Sequence, residues 1–468
     1  MEACAGVYRP TLARATRVED DTALPREPRR HSCLGGTAVT EIRPFRGLRY
    51  DPRRVRGDDV IAPPYDVVGA EAVAALHARS PYNASHIENP SGDGDAKYGN
   101  AAAMLAKWHE DGALTRDTRT AYYVYEQRAR IEGTWVTRRA FFARCRLHRP
   151  EEGILRPHEA TIAGPRADRL ALIRATRTNI SPVFGMFLDP QQAARTLLTE
   201  IAKREPAFEA TDALGDRHRL WAVTAAAEVG TLTQVVAASN VTIADGHHRT
   251  HTALDYRDEC AAKAGKRWTG NEPENFVLMG MIPQDDPGLV ILPIHRLVQA
   301  KPLPASMADR LSALYRVERL ANADEAWARV RANALGPTTF AVLGMEGPHS
   351  VHLLTARSQE AVDNAMPVGI SQPSKRLDAL ILTETVLTPL FGIDRTVMTR
   401  GDRVAFTESV EEAREAVEGG SCDIAFLINA TRAQQITDVA DAGEVMPQKT
   451  TYFYPKLATG LVYNPLED

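Results

Sequence analysis

Val241-Thr242-Ile243-Ala244-Asp245-Gly246-His247-His248-Arg249-Thr250-His251-Thr252-Ala253-Leu254 reads as strand, turn and helix. The run from Val241 to Ala244 suits a short buried strand. Gly246 permits a bend that a Cβ would obstruct, and Thr250 to Ala262 has helical composition. Such a turn aims free N–H groups and the positive end of a helix dipole at one spot, which favours a phosphate oxygen there. Arg249 adds a bidentate donor. Asp245, at the lip, would repel phosphate unless a divalent cation lay between them, so the pattern points to Mg²⁺ bridging carboxylate and polyphosphate. A plain strand-to-helix connection with solvated histidines stays open at this point. A zinc site of Asp245, His247 and His251 is disfavoured, because His247 is expected in the turn and not in the helix.

Standard alternatives are missing. Gly265-Lys266 has Cys260 where a Walker loop needs its first glycine, and neither GxGxxG nor GxSxG occurs. His158-Glu159 is followed by Ile162, so the zincin pair of histidines fails. Glu159 itself follows a proline-constrained loop. A carboxylate there could approach the turn across the fold, where partial burial would raise its basicity toward a hydroxyl proton. A solvated glutamate beside a helix start is the alternative.

Totals narrow the class. The chain has 468 residues, enough for about three domains. At 44% apolar, 25% charged and a mean hydropathy of −0.29, it has the composition of a soluble globular protein. No apolar run approaches bilayer length, so no membrane partner is expected. A net charge of −4 supplies no field that would gather nucleic acid. Five scattered cysteines without a CxxC pair argue for a reducing compartment, and the expected location is cytoplasmic.

Along the chain, residues 1–40 lack periodicity and read as a disordered extension. An N-terminal α+β domain is expected over 41–145, with paired strands joined by a Glu132-Gly133 turn and a rigid Pro63-Pro64-Tyr65-Asp66 segment. Residues 146–300 read as a second unit, closed by strands at Asn275–Ile282 and Leu289–Pro293 around a turn at Asp285–Gly288. Residues 301–468 form a third, α/β unit, whose aromatic-rich tail, Gly443 to Leu457, is expected to dock on the body.

Two resemblances add to this reading. Leu155-x-Pro157-His158-Glu159, a charged helix, the Pro182-Val183 strand and Asp245-Gly246-His247-His248-Arg249 resemble the core of free L-serine kinases, of the ParB/sulfiredoxin-like superfamily, although here a long insertion separates Phe184 from Asp245. From Glu41 onward the chain also resembles the domain-of-unknown-function 1015 family. It does so through Pro44-Phe45-Arg46-Gly47-Leu48, Val60-Ile61-Ala62-Pro63-Pro64-Tyr65-Asp66-Val67, Ser80-Pro81-Tyr82-Asn83, Asp168-Arg169-Leu170-Ala171-Leu172 and Met446-Pro447-x-Lys449-x-Thr451-Tyr452-Phe453-Tyr454-Pro455-Lys456. Sulfiredoxins carry a cysteine where His247 stands, and no basic recognition helix of the ParB kind follows Arg249.

The resemblances imply an α+β fold: a ParB/sulfiredoxin-like nucleotide-binding core with flanking N- and C-terminal α/β units. They imply a Mg²⁺-dependent small-molecule kinase moving a phosphoryl group from ATP or ADP to free serine or a serine-like metabolite. Glu159 would take the hydroxyl proton, Asp245 and His248 would hold Mg²⁺, and Gly246, His247, Arg249 and Thr250 would cradle the polyphosphate. His158, Arg169, Asn179 and Ser181 are candidates for substrate binding. A homodimer stays open. The alternatives are a non-catalytic nucleotide-binding switch and a metal-dependent hydrolase.

Overall fold

The computed structural model describes residues 39–159, 163–401 and 403–467. The expected disordered extension lies outside them, apart from Val39 and Thr40; the Thr40 hydroxyl donates to the Ser239 carbonyl (2.6 Å). The fold is mixed α+β.

Its larger sheet has nine strands. Across it run Leu155–Arg156, Val241–Asp245, Val183–Phe187, Phe276–Pro283, Thr134–Arg146, Tyr122–Ile131, Arg217–Val223 and Phe208–Thr211, with Ile42–Arg43 also paired to Thr134–Arg146. Val241–Asp245 lies parallel to Leu155–Arg156 and antiparallel to Val183–Phe187. The sheet therefore draws strands from both sides of residue 145. The insertion between Phe184 and Asp245 supplies two of them, Phe208–Thr211 and Arg217–Val223, which extend the sheet beyond Tyr122–Ile131. The Tyr122–Ile131 and Thr134–Arg146 hairpin turns at Glu132 and Gly133, both at positive φ (45° and 81°), as its sequence predicts.

Phe276–Pro283 is buried along its whole length, which suits an unbroken apolar run between two neighbours. That arrangement corrects one expectation. Val290–Leu292 does not fold back on Phe276–Pro283, because Thr134–Arg146 and Val183–Phe187 already occupy both of its edges; it pairs instead with Tyr452–Tyr454 from the tail. The expected docking of the tail is thus observed as a strand pairing.

A second sheet of six antiparallel strands carries the C-terminal part, in the order Tyr315–Leu320, Val351–Ala356, Thr339–Leu343, Ile424–Leu427, His295–Val298 and Val404–Thr407. On the larger sheet, the helices Ala96–Glu110, Ala163–Thr176 and His247–Ala264 pack side by side. Ion pairs Lys97–Asp168 (2.8 Å) and Arg166–Asp255 (2.7 Å) bridge them at the surface, where each contributes little. Among the described residues no helix is long and apolar enough to cross a membrane.

Candidate active site

The strand Val241–Asp245 ends at the sheet edge, and the chain turns at Gly246 into the helix His247–Ala264. Gly246 takes φ 90°, and a Cβ there would stand 3.1 Å from Arg249 Nε and 3.2 Å from Val183 Cα. Only glycine suits both the angle and the space. His247 is the first helical residue, so the helix starts earlier than its composition predicts.

Asp245 is saturated by cations. One carboxylate oxygen accepts from Arg249 Nη2 (2.5 Å) and the other from Lys456 Nζ, which arrives from the tail. Burial alone would push the Asp245 carboxyl up, but Lys456 and Arg249 hold it well below the usual carboxylate range. Arg249 also donates to the Pro182 carbonyl, and its Nε finds no hydrogen-bond partner.

His158 and His247 meet edge to face, with ring centroids 4.6 Å apart. His158 Nδ1 lies 2.5 Å from the Ile243 carbonyl, which can only accept, so this nitrogen carries the proton; Nε2 then accepts from the Thr451 hydroxyl (2.9 Å). Burial lowers the His158 pKa to about 4, and burial with the neighbouring His158 holds His247 well below its ordinary value. Both rings are therefore neutral at pH 7. His247 Nε2 faces the His158 N–H (3.3 Å).

Glu159 comes to the same place. Its backbone bridges Met446, and its carboxylate accepts from the Lys449 N–H and feels the charges of Lys449, Asp245 and Lys456. Burial raises its pKa, Lys449 and Lys456 oppose the rise, and Asp245 adds to it.

The remaining candidates divide. Arg169, Asn179 and Ser181 line one small cavity of about 50 Å³ together with Glu88 and Arg249. Arg169 is held there by Asp168 (2.6 and 2.9 Å) and the Glu88 carbonyl (2.9 Å), and lies over the Tyr65 ring at 4.3 Å. Ser181 donates to the buried Glu88 carboxylate. Asn179 Oδ1 accepts from the Leu278 N–H (2.9 Å) and from Asn464 Nδ2 (2.8 Å), contacts that tie the chain terminus to the sheet. His158 likewise spends both ring nitrogens on Ile243 and Thr451. The Thr250 hydroxyl donates to the Gly246 carbonyl (3.2 Å). His248 is half-buried; its pKa is lowered by burial and by His251, with Asp66 opposing, and its Nδ1 has no hydrogen-bond partner.

A Mg²⁺ on Asp245, as expected with His248, would have to displace a cationic side chain, since one already meets each Asp245 oxygen. Among the described residues no group of three or more His, Cys, Asp and Glu side chains is placed to hold a metal ion.

Sequence reasoning gave no role to Lys449, Lys456 or Glu88. The first two stand in a tail rich in proline and aromatics, which marks a docked segment but does not say against what.

A family model described as a protein of unknown function, DUF1015, matches residues 42–380. The chain belongs to the DUF1015 family. The matched span of this DUF1015 chain ends before the tail that brings Lys449 and Lys456. No curated protein matches it. Among solved structures, a conserved hypothetical protein from Pyrococcus furiosus is 14% identical over 68% of this chain and 93% of its own, with a TM-score of 0.31. A free serine kinase in complex with AMP is 13% identical over 67% of this chain and 86% of its own, also at 0.31.

Proposed function

We propose that the protein is a small-molecule phosphotransferase that moves a phosphoryl group from ATP or ADP to the hydroxyl of free serine or a serine-like metabolite. One juxtaposition carries this reading: a half-buried carboxylate of raised pKa, Glu159, lies beside Lys449 and shares the field of Lys456 with Asp245, next to a glycine turn that opens an 18-residue helix. The likeness of Pro157-His158-Glu159 and Asp245-Gly246-His247-His248-Arg249 to free serine kinases supports it. In this reading the segment around these motifs is a ParB/sulfiredoxin-like nucleotide core in residues 146–300, with 41–145 and 301–468 as flanking units.

Glu159 accepts the proton as the acceptor hydroxyl attacks the donor's terminal phosphorus. Its raised pKa makes it a better base than a solvated glutamate. The N–H groups of the first turn of the His247–Ala264 helix and the Arg249 guanidinium meet the charge that spreads over the phosphoryl oxygens as the bond to the leaving group loosens. Neutral His247 donates or accepts without adding charge. Arg169 and Ser181 are the residues proposed to hold the acceptor's carboxylate and ammonium groups. Mg²⁺ enters as the counter-ion of the nucleotide's own phosphates, with no protein ligand assigned.

The test is direct. Purified protein is incubated with Mg²⁺, ATP or ADP, and serine, and the products are read by mass spectrometry for phosphoserine. Absence of phosphorylated product with serine and with a panel of hydroxylated metabolites would end the proposal.

A further inference from the structure

We infer, resting on the phosphotransferase reading above, that the tail segment Met446–Lys456 is a wall of the nucleotide site, and that Lys456 is the side chain that takes the donor's polyphosphate. Lys456 would do so in the place where the sequence leads one to expect a metal ion on Asp245.

The segment is fixed before any ligand arrives. The Met446 N–H donates to the His158 carbonyl (2.7 Å), and Thr451 donates to His158 Nε2. The Thr450 carbonyl accepts from the Thr431 hydroxyl (2.9 Å), and the Lys449 carbonyl accepts from Nη2 of the buried Arg296 (3.0 Å). Tyr452–Tyr454 pairs with Val290–Leu292, and the Lys456 carbonyl accepts from Gln127 Nε2 (3.4 Å). Leu457 presses on Gly280, where a Cβ would come within 2.8 Å of its side chain. Lys456 is thereby held over the larger sheet, with Nζ on Asp245 and 5.0 Å from the Tyr452 ring centroid. A lysine whose backbone is fixed in this way has only its own side chain to reorganise when an anion arrives.

Donors without acceptors say which ligand completes the site. Asp245 meets two cations, Arg249 and Lys456, and the neighbouring Glu159 carboxylate faces Lys449 and Lys456. Arg138, 1% exposed, adds a further buried cation in the field of Asp245, as well as of Asp216 and Asp286. Only its Nη2 has an acceptor, Gln127 (2.5 Å); Arg138 Nε and Nη1, like Arg249 Nε, have no hydrogen-bond partner. Buried donors left without acceptors are costly unless an anion meets them. A di- or triphosphate chain carries the many acceptor oxygens these donors lack, and Lys456 can pass from Asp245 to a phosphate oxygen by a movement of its side chain alone.

The experiment is calorimetric titration of the full chain with ADP, adenosine and tripolyphosphate, in Mg²⁺ and in EDTA, for the wild type, Lys456→Met and Lys456→Arg. The expected result is that Lys456→Met weakens ADP and tripolyphosphate by about tenfold or more, while adenosine stays within about twofold and Lys456→Arg retains most of the affinity. Wild-type binding of ADP is expected to persist in EDTA. Equal ADP affinity in the wild type and Lys456→Met overturns the inference and leaves the kinase reading standing. An equal loss of adenosine and ADP overturns it as well, since that marks a merely structural lysine. A wild type that binds neither ADP nor tripolyphosphate brings down both readings. Should Lys456→Met fail to fold, acetylation footprinting of the wild type decides: ADP is expected to slow labelling of Lys456 and not of the exposed Lys203, and no protection overturns the inference.

Discussion

Glu159 and Asp245 lie in one electrostatic neighbourhood: the charge of Asp245 raises the Glu159 pKa, and Lys456, which donates to Asp245, lowers it. Two carboxylates so placed are driven apart in acidity. Asp245, with a cation on each oxygen, stays ionised far into acid, whereas Glu159, with burial dominant, becomes the more basic of the two.

Glu159→Gln is therefore expected to lower the phosphotransfer rate by about 10²–10⁴-fold, the usual worth of a general base, while nucleotide affinity changes by less than about threefold. Steady-state kinetics and calorimetry on the same preparation check this. Undiminished turnover would remove Glu159 as the base.

The pH dependence follows from the same group. A base works when ionised, and a pKa raised above 4.5 delays ionisation as pH rises. The rising limb of kcat/KM is expected to have its midpoint above 4.5, and that limb should be absent from the residual activity of Glu159→Gln. A pH-rate profile from pH 4 to 8 measures it.

Acid should loosen the fold at His158. Its pKa falls from 6.5 to about 4 through burial, so below pH 6.5 the unfolded chain binds more protons than the folded one. Stability contributed by the neutral ring is full above 6.5 and is lost as pH falls toward 4, by about 3 kcal/mol over that window. Urea titrations at several pH values should show this slope, and His158→Gln should flatten it. The buried, neutral His247 acts in the same direction and would leave part of the slope in the variant.

Gly246→Ala tests the turn. A φ of 90° is unfavourable for alanine, and the new methyl would meet Val183 Cα at 3.2 Å, so a loss of about 1–3 kcal/mol is expected in denaturant unfolding. Alanine tolerated without cost would mean that the turn relaxes and that its geometry is not what positions Arg249.

Much of the site was legible from local pattern. The strand to Asp245, the glycine turn, the hairpin at Glu132-Gly133 and the helix beyond His247 follow from backbone freedom and periodicity, which act over a few residues and need no knowledge of the rest of the fold. The spacing of Asp245 and Arg249 places them one helical turn apart, and they do pair. By contrast, candidate roles for Asn179 and His158 could be named from sequence, but not that their polar atoms are committed to Leu278, Asn464, Ile243 and Thr451.

By itself the sequence determined the pieces: the α+β pattern, the strand, glycine turn and helix around Gly246, and the hairpin at Glu132-Gly133. Tertiary structure alone decided what meets what. Val290–Leu292 found its partner in the tail because both edges of Phe276–Pro283 were occupied, and that pairing carried Lys449 and Lys456 to Glu159 and Asp245. Which strand edge is free, and which cation reaches a given carboxylate, depends on contacts between distant segments, and no short-range propensity records them.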